Sequence, residues 1–435
     1  MRMDFQRLHL RCLPTAVSLW LVYGLFLIAG VAQAAIVPLL PRMSAHFGLS
    51  ASQTALLLAL PGLATLAVSV PSGIAADRVG ARRVTLGAGA LLCLSCLAQA
   101  MPSLAVVLAG RIVFGVAFGV VWTSGMAWLA DLDQEPERGS GSSLGPAVTC
   151  SSVGIMLGPA LGGVLAQRLG LGAPFAAIAA AAGLVVVPLT LGTTSVRRAT
   201  PTPPVQPADL PLEIAYFQPP VSDGPGRVTP RVLLALSRRP RIAAAAGALV
   251  VSGAVSSASQ LLISGGLHHL GMSTGRIGLA FSASAVCYIA VSAVIVRMRE
   301  RAQTLKFNAL TTAVLALALL PALADHGAIT LVLALMLSAG PRAVISTIAY
   351  SLASGQRSGG AGSDGVVFGM LNGAWAAATV LIPLVAGAVQ QAAGDEVAYL
   401  AVILPSLAVA ACLVAAAVER VPLLGIGLRG GGGLR

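Results

Sequence analysis

The chain has 435 residues, 57% hydrophobic and only 10% charged, with a net charge of +12 and a mean hydropathy of +0.88. A soluble domain is about 45–50% apolar and about 25% charged, so this chain cannot cover a surface in water. That excludes a soluble enzyme, a disordered regulator and a nucleic-acid binder, and it refers the positive charge to membrane topology, where inside loops collect Arg and Lys.

A helix needs about 20 mostly apolar residues to cross a hydrocarbon core of ~30 Å. Twelve runs meet that length, at 15–37, 53–75, 83–101, 104–130, 143–166, 173–192, 242–264, 276–296, 307–324, 329–353, 366–390 and 397–418. Strand alternation is absent, which excludes a barrel. The expected class is an all-α integral membrane protein. The first run follows several arginines and contains Ala32-Gln33-Ala34, a signal-peptide pattern. It is too long for one, so a retained first span is expected.

The basic residues orient the spans. With the N-terminus inside, 22 lie in inside segments, three outside (Arg42, Arg168, Arg276) and two within spans (Arg111, Arg342). That asymmetry supports an even span count and inside termini. Residues 196–237 hold nine prolines and read as a flexible cytoplasmic linker. The expected organisation is 1–195 and 238–420 as six-helix bundles, with 196–237 between them and 421–435 a disordered tail. Six spans plus six is a transporter arrangement, with a site between the halves near midplane. Of the six cysteines, all but Cys12 lie in apolar runs, so no disulfide is expected and Cys93-x-x-Cys96 reads as packing.

Between spans 2 and 3 stands Gly73-x-x-x-Asp77-Arg78-x-Gly80-x-Arg82-Arg83. Read as a charged hairpin it satisfies the inside-positive bias. Read as a latch, Asp77 can meet a helix N-terminus, where the dipole favours anions. This pattern resembles the loop 2–3 signature of the major facilitator superfamily. The resemblance implies two pseudo-symmetric six-helix bundles, with Asp77, Arg78 and Arg82 stabilising an outward-facing state against helix 11.

Arg111 lies in span 4 as Arg111-x-x-x-Gly115-x-x-x-Gly119. A charge at membrane depth marks a functional site by default, although snorkelling to the outer surface is an alternative. It resembles the family's helix-4 signature, which implies an arginine facing the central cavity. Arg342, after Gly340-Pro341 in span 10, is its counterpart. Span 5 carries Gly154-x-x-x-Gly158-Pro159-x-x-Gly162-Gly163. Its physics is close helix packing. It also resembles the antiporter signature of the twelve-helix drug:proton exporters.

Further cavity candidates are Tyr23, Gln33, Trp122, Ser256, Ser259, Gln260, Asn372 and Trp375, each of which can equally be helix–helix glue. None of the fifteen acids lies deep in a span, a departure from exporters of cations, and the proton carrier is left open among Asp77, Asp131, Asp364 and other groups. His268-His269 reads as a solvated outer loop. Gly141-Ser142-Ser143-Leu144-Gly145 follows no strand, so the hydrolase reading fails. With Lys306 the only lysine and no phosphate-cradling loop, no cofactor, metal or nucleotide is expected.

The expected function is secondary transport by alternating access in a bacterial inner membrane: proton-coupled efflux of small amphiphilic compounds by a monomer in the bilayer, without nucleic acid. The alternatives are uptake or exchange of an organic anion through Arg111 and Arg342, and a non-transporting sensor or scaffold. In cells producing the protein, a cysteine at position 83 should react with a membrane-impermeant maleimide only after lysis. Cysteines at 168 and 276 should react in intact cells. The reverse pattern would overturn the orientation.

Overall fold

In hydrocarbon every backbone N–H and C=O must be satisfied within the protein, which leaves these apolar runs only the helix. The computed structural model describes residues 15–133, 144–191, 239–298, 304–324, 327–354 and 363–418, among which there is no strand. Among the described residues, twelve helices are long and apolar enough to cross a membrane. The expected linker and tail lie outside the described residues, as does the start of the Gly141 pattern.

The first half opens with α1 (Thr15–Ala35), which passes through a 3-10 turn into α2 (Leu40–Phe47). Gly48, at φ 64°, ends α2 in the left-handed region, where glycine carries no Cβ penalty. The next helix, α3 (Ala51–Val79), begins with a capping box between Ser50 and Gln53, which satisfies two of its orphan N–H groups. Then follow α4 (Ala81–Gln99), α5 (Leu104–Asp133), α6 (Leu144–Leu169) and α7 (Ala173–Leu191). The second half comprises α8 (Pro240–Ala258), a π turn (Ser259–Ile263), α9 (Ser264–His269), α10 (Thr274–Met298), α11 (Leu305–Leu317), α12 (Pro321–Ala324), α13 (Ala328–Ser354), α14 (Ser363–Ala393) and α15 (Asp395–Val418).

Three local expectations change. Asp77 and Arg78 sit in the last turn of α3, not in a loop, because that helix continues through Pro71. Gly80, at φ 102°, is the single residue between α3 and α4. Span 9 is not one helix: it turns after Leu317 and resumes at Pro321, since proline is tolerated at the start of a helix and breaks its interior. His268 and His269 form the last turn of α9, with His268 half-buried and His269 exposed.

Buried apolar side chains gather into two large cores. One is built by α1, α4, α5, α6 and α7 around Phe26, Phe114 and Trp128. The other is built from α8 onward around Leu249, Leu315, Leu335 and Tyr399. The outer faces carry large apolar side chains such as Leu184 and Ile329, as a lipid-facing surface requires.

Small residues set the helix spacing. A Cβ on Gly154, Gly158 or Gly162 would collide with α1 backbone at Leu27, Val31 or Ala35, and one on Gly30 with the Ser151 carbonyl of α6. The adjacent edge of α6 meets the other half: Gly163 lies against Thr274, and Gly278 against the Pro159 carbonyl. The Gly275 N–H donates to Gln167 Oε1 (3.0 Å) and the Ala160 N–H to Ser282 Oγ (3.0 Å).

A second seam joins α3 to α14. Gly387 packs on Ala51 and Ala55, Gly62 on Val380, and Ser52 Oγ donates to Gln391 Oε1 (2.5 Å). Helices α2 and α9 also pack together. Most of these contacts use the starts of α3 and α10 and the ends of α6 and α14, placed at one end of the bundle and termed distal; Gly62 meets Val380 deeper, toward the middle of both helices. Asp77, Arg78 and Arg83 at the proximal end are exposed.

Gly154→Ala should destabilise the folded protein by roughly 1–3 kcal/mol through overpacking. Gly87→Ala, whose Cβ would meet nothing within 4 Å, should be neutral or stabilising. Thermal unfolding of the two variants in detergent checks this contrast.

Candidate functional site

The face of α5 that carries Arg111, Gly115 and Gly119 turns toward α3. Residues four apart share a helix face, and each member meets α3 in order. Arg111 Nε donates to the Leu57 carbonyl (2.9 Å). A Cβ on Gly115 would strike the Pro61 carbonyl, and one on Gly119 would lie 3.1–3.3 Å from Val68 and Thr65. Thr65 Oγ1 returns a hydrogen bond to the Gly115 carbonyl (2.8 Å). Arg111 is 1% exposed. It also donates from Nη1 to Gln99 Oε1 (3.4 Å), and its guanidinium stands 5.3 Å from the Phe114 ring centroid. It therefore lies among α3, α4 and α5, inside the first half, and does not open onto the space between the halves.

Arg342 differs. It is half-buried on α13, with its guanidinium 5.8 Å from the Tyr288 ring centroid on α10. A cation over an aromatic face is attracted by the ring quadrupole. Tyr288 is a partner the sequence reading did not single out.

Gln33 is exposed although its neighbours from Val31 to Leu40 are buried. It lies seven residues after Phe26, on the same face of α1. Phe26 packs edge-to-face on Trp122 of α5 (5.2 Å), and Trp122 meets Phe118 (6.2 Å). The aromatic stripe thus seals the proximal part of that face, and Gln33 opens from its distal end. Tyr23 is half-buried beside Trp20 (6.0 Å, edge-to-face).

In the second half, Gln260 sits half-buried within the π turn, a helix irregularity frequent at functional sites. The serines around it are spent locally. Ser259 Oγ donates to the Val255 carbonyl (2.7 Å), and Ser264 Oγ to that of Gln260 (2.5 Å). Ser256 and Ser259 are both buried. Asn372 and Trp375 are half-buried on α14, flanking exposed Gly373. The Trp375 carbonyl lies 3.0 Å from a Cβ built on Gly253 of α8. Gln33 and Tyr23 thus lie on the first half, and Gln260, Asn372, Trp375 and Arg342 on the second.

The proximal signature splits into separate tasks. Asp77 stands within electrostatic reach of Asp131 at the end of α5. A Cβ on Gly73 would face Thr123 of α5 at 3.7 Å, not the second half. Arg82 Nη2 donates to the Leu189 carbonyl (3.1 Å) near the end of α7, and its guanidinium lies 6.0 Å from the Trp128 ring. A cation on the last carbonyls of a helix meets orphan acceptors and the negative dipole end. Arg82 therefore ties α4 to α5 and α7. The side chain of Asp364 lies outside the described residues.

A cavity of about 550 Å³ lies at the distal end of the first half, lined by Arg42, Met43, His46, Phe47, Gln99 and Leu171, among others. Arg42 Nη1 donates to the Ala166 carbonyl beside it (2.6 Å). Among the described residues no group of three or more His, Cys, Asp or Glu could hold a metal ion.

Known proteins resemble this chain at two levels. The MFS-type transporter ppzB of Metarhizium rileyi is 36% identical over 124 residues, 28% of this chain and 25% of that protein. The MFS-type transporter C18.02 of Schizosaccharomyces pombe is 31% identical over 121 residues, 27% of each chain. The chain therefore matches about a quarter of the length of these curated relatives. In fold, it is similar to an inward-facing, unoccupied bacterial homologue of the human lysosomal transporter Spinster. The TM-score is 0.70, with 14% identity over 93% of this chain and 95% of that one. It is similar also to the human organic anion transporter MFSD10 (TETRAN), with a TM-score of 0.59 and 20% identity over 92% of this chain and all of that one. Residues 22–383 match the Major Facilitator Superfamily as a whole, and by that match the chain belongs to this family of multi-pass membrane proteins.

Proposed function

We propose that the chain is a secondary carrier that exports small amphiphilic compounds by alternating access, driven by a proton gradient. The observation that carries the reading is the one-ended docking of the halves. Glycine contacts and hydrogen bonds join α6 to α10 and α3 to α14 at the distal end, while Asp77, Arg78 and Arg83 of the proximal signature are exposed. With the termini in the cytoplasm of a bacterial inner membrane, this is the inward-facing state, and the units 1–195 and 238–420 rock about the distal contact. The span-5 resemblance to drug:proton antiporters supports export.

Tyr23, Gln33, Gln260, Asn372, Trp375 and Arg342 line the proposed path. Arg111 is left out because its guanidinium is enclosed. The path therefore carries a cation without a deep acid, which suits neutral and anionic amphiphiles over cations. Asp131, which burial and the charge of Asp77 disfavour as a carboxylate at the proximal end, is the proposed proton-responsive group.

A second reading, exchange of an organic anion without a gradient, is favoured by Arg342, whose guanidinium is held by Tyr288 within a span. In inside-out vesicles with an imposed proton gradient, neutral and anionic amphiphiles should be taken up and cationic ones excluded. Uptake should collapse when the gradient is dissipated. Arg342→Ala should lower uptake of the anions about tenfold, the scale of one lost charge-assisted contact, and spare the neutral compounds. Exchange of anions without a gradient would replace export by the second reading. No uptake of any class would overturn both.

A further inference from the structure

A helix interior leaves no carbonyl unpaired unless the residue four positions on is proline, which has no N–H to give. In α3 the Leu57 carbonyl is in that position, because its partner four residues later is Pro61. That carbonyl is the acceptor for Arg111 Nε at 2.9 Å. Leu57 is fully buried, so lipid and water are both denied to it. The guanidinium supplies from α5 the donor that Pro61 removes from α3.

The position of this contact gives it a consequence. Leu57 lies between the two points where α3 docks on α14, Ala51–Ala55 against Gly387 and Gly62 against Val380. Neighbouring Ala55 and Leu58 pack against the core of the second half. Arg111 is held from behind by Gln99 of α4 and the Phe114 ring. The stretch of α3 that closes the distal end is thus tied to the first half by this arginine, beside the packing of Leu57 in a cluster with Ile36 and Val107.

We propose that Arg111 is a positioning residue that completes the proline-interrupted backbone of α3 and holds it in register for distal closure, and is not a substrate ligand. This stands whatever compound the carrier moves.

The test is a cycle of Arg111→Met with Pro61→Ala in the full-length protein in membranes. Alanine restores an N–H four residues after Leu57, so it should remove the need for the arginine. Closure is read as the initial rate at which a short bis-methanethiosulfonate reagent bridges cysteines placed at Ser52 and Gln391, quantified as the linked peptide by mass spectrometry. Stability is read as the thermal midpoint in detergent.

Arg111→Met should slow bridging about tenfold and lower the midpoint. In the Pro61→Ala background the same change should alter bridging by less than about twofold. In a Pro71→Ala background, where the added N–H serves a different carbonyl, the full loss should remain. Equal losses with and without Pro61 would overturn the proposal, as would unchanged bridging in Arg111→Met. A lowered midpoint with unchanged bridging would reduce Arg111 to a packing residue and overturn the closure role. If Arg111→Met does not accumulate in membranes, its recovery by Pro61→Ala supports the proposal and failure to recover overturns it. Arg111→Lys, which keeps a donor, should accumulate and bridge at a rate between the two.

Discussion

The constraint on which the structure depends is that hydrocarbon offers no hydrogen-bond partner to a backbone. Unbroken helices satisfy it by themselves. This chain breaks the ladder repeatedly, with prolines inside α3, α6, α7, α13, α14 and α15. Each interior proline frees a carbonyl, and an unpaired buried carbonyl costs about 1–3 kcal/mol. At Leu57 the solution is a buried arginine from another helix. A residue that looks in sequence like a ligand for a foreign anion is engaged by the protein's own backbone.

The second organising fact is how near the helices approach. Glycines of α6 admit the backbone of α1, and those of α5 admit α3. Without Cβ atoms, attraction between helices comes from dispersion over a wide, flat contact and from weak polar contacts. Most side-chain hydroxyls, like those of Ser257 and Ser406, fold back onto a carbonyl three or four residues earlier. A few reach across instead: Thr65 bonds α5, Ser52 and Ser282 bond the opposite half, and the amides of Gln167 and Gln391 share in these bridges.

The architecture was legible in the sequence because length and apolarity alone define a span, and the spans were placed to within a few residues. What proline does inside a long helix was less legible. Pro71 does not end α3, so Asp77 belongs to a helix where a loop was expected. Arg111 was recognised as exceptional by its depth, yet its partner is a main-chain atom 54 residues away, and no pattern of side chains announces a carbonyl. The available signal was the proline itself, since any proline deep in a span advertises an acceptor four residues earlier. For Arg82 the resemblance implied a latch of the outward-facing state, and the side chain also bonds a carbonyl of α7 that no sequence pattern announces. Gln33 stood out in sequence because an uncharged amide in lipid needs a partner; it is exposed within an otherwise buried stretch of α1.

Consecutive residues of a helix point about 100° apart, so Gly162 and Gly163 cannot serve the same neighbour. One faces α1 of its own half and the next faces α10 of the other. A roll of α6 about its axis would forfeit both contacts at once, which makes this helix an axle fixed to one body and bearing on the other. From Gly163 to the proximal start of α6 is roughly 28 Å at 1.5 Å per residue. A tilt of about 10° at the bearing would sweep the far end through about 5 Å over that length. In the rocking proposed for the two halves, a small slip between these glycine surfaces would be magnified into a displacement the width of a small molecule.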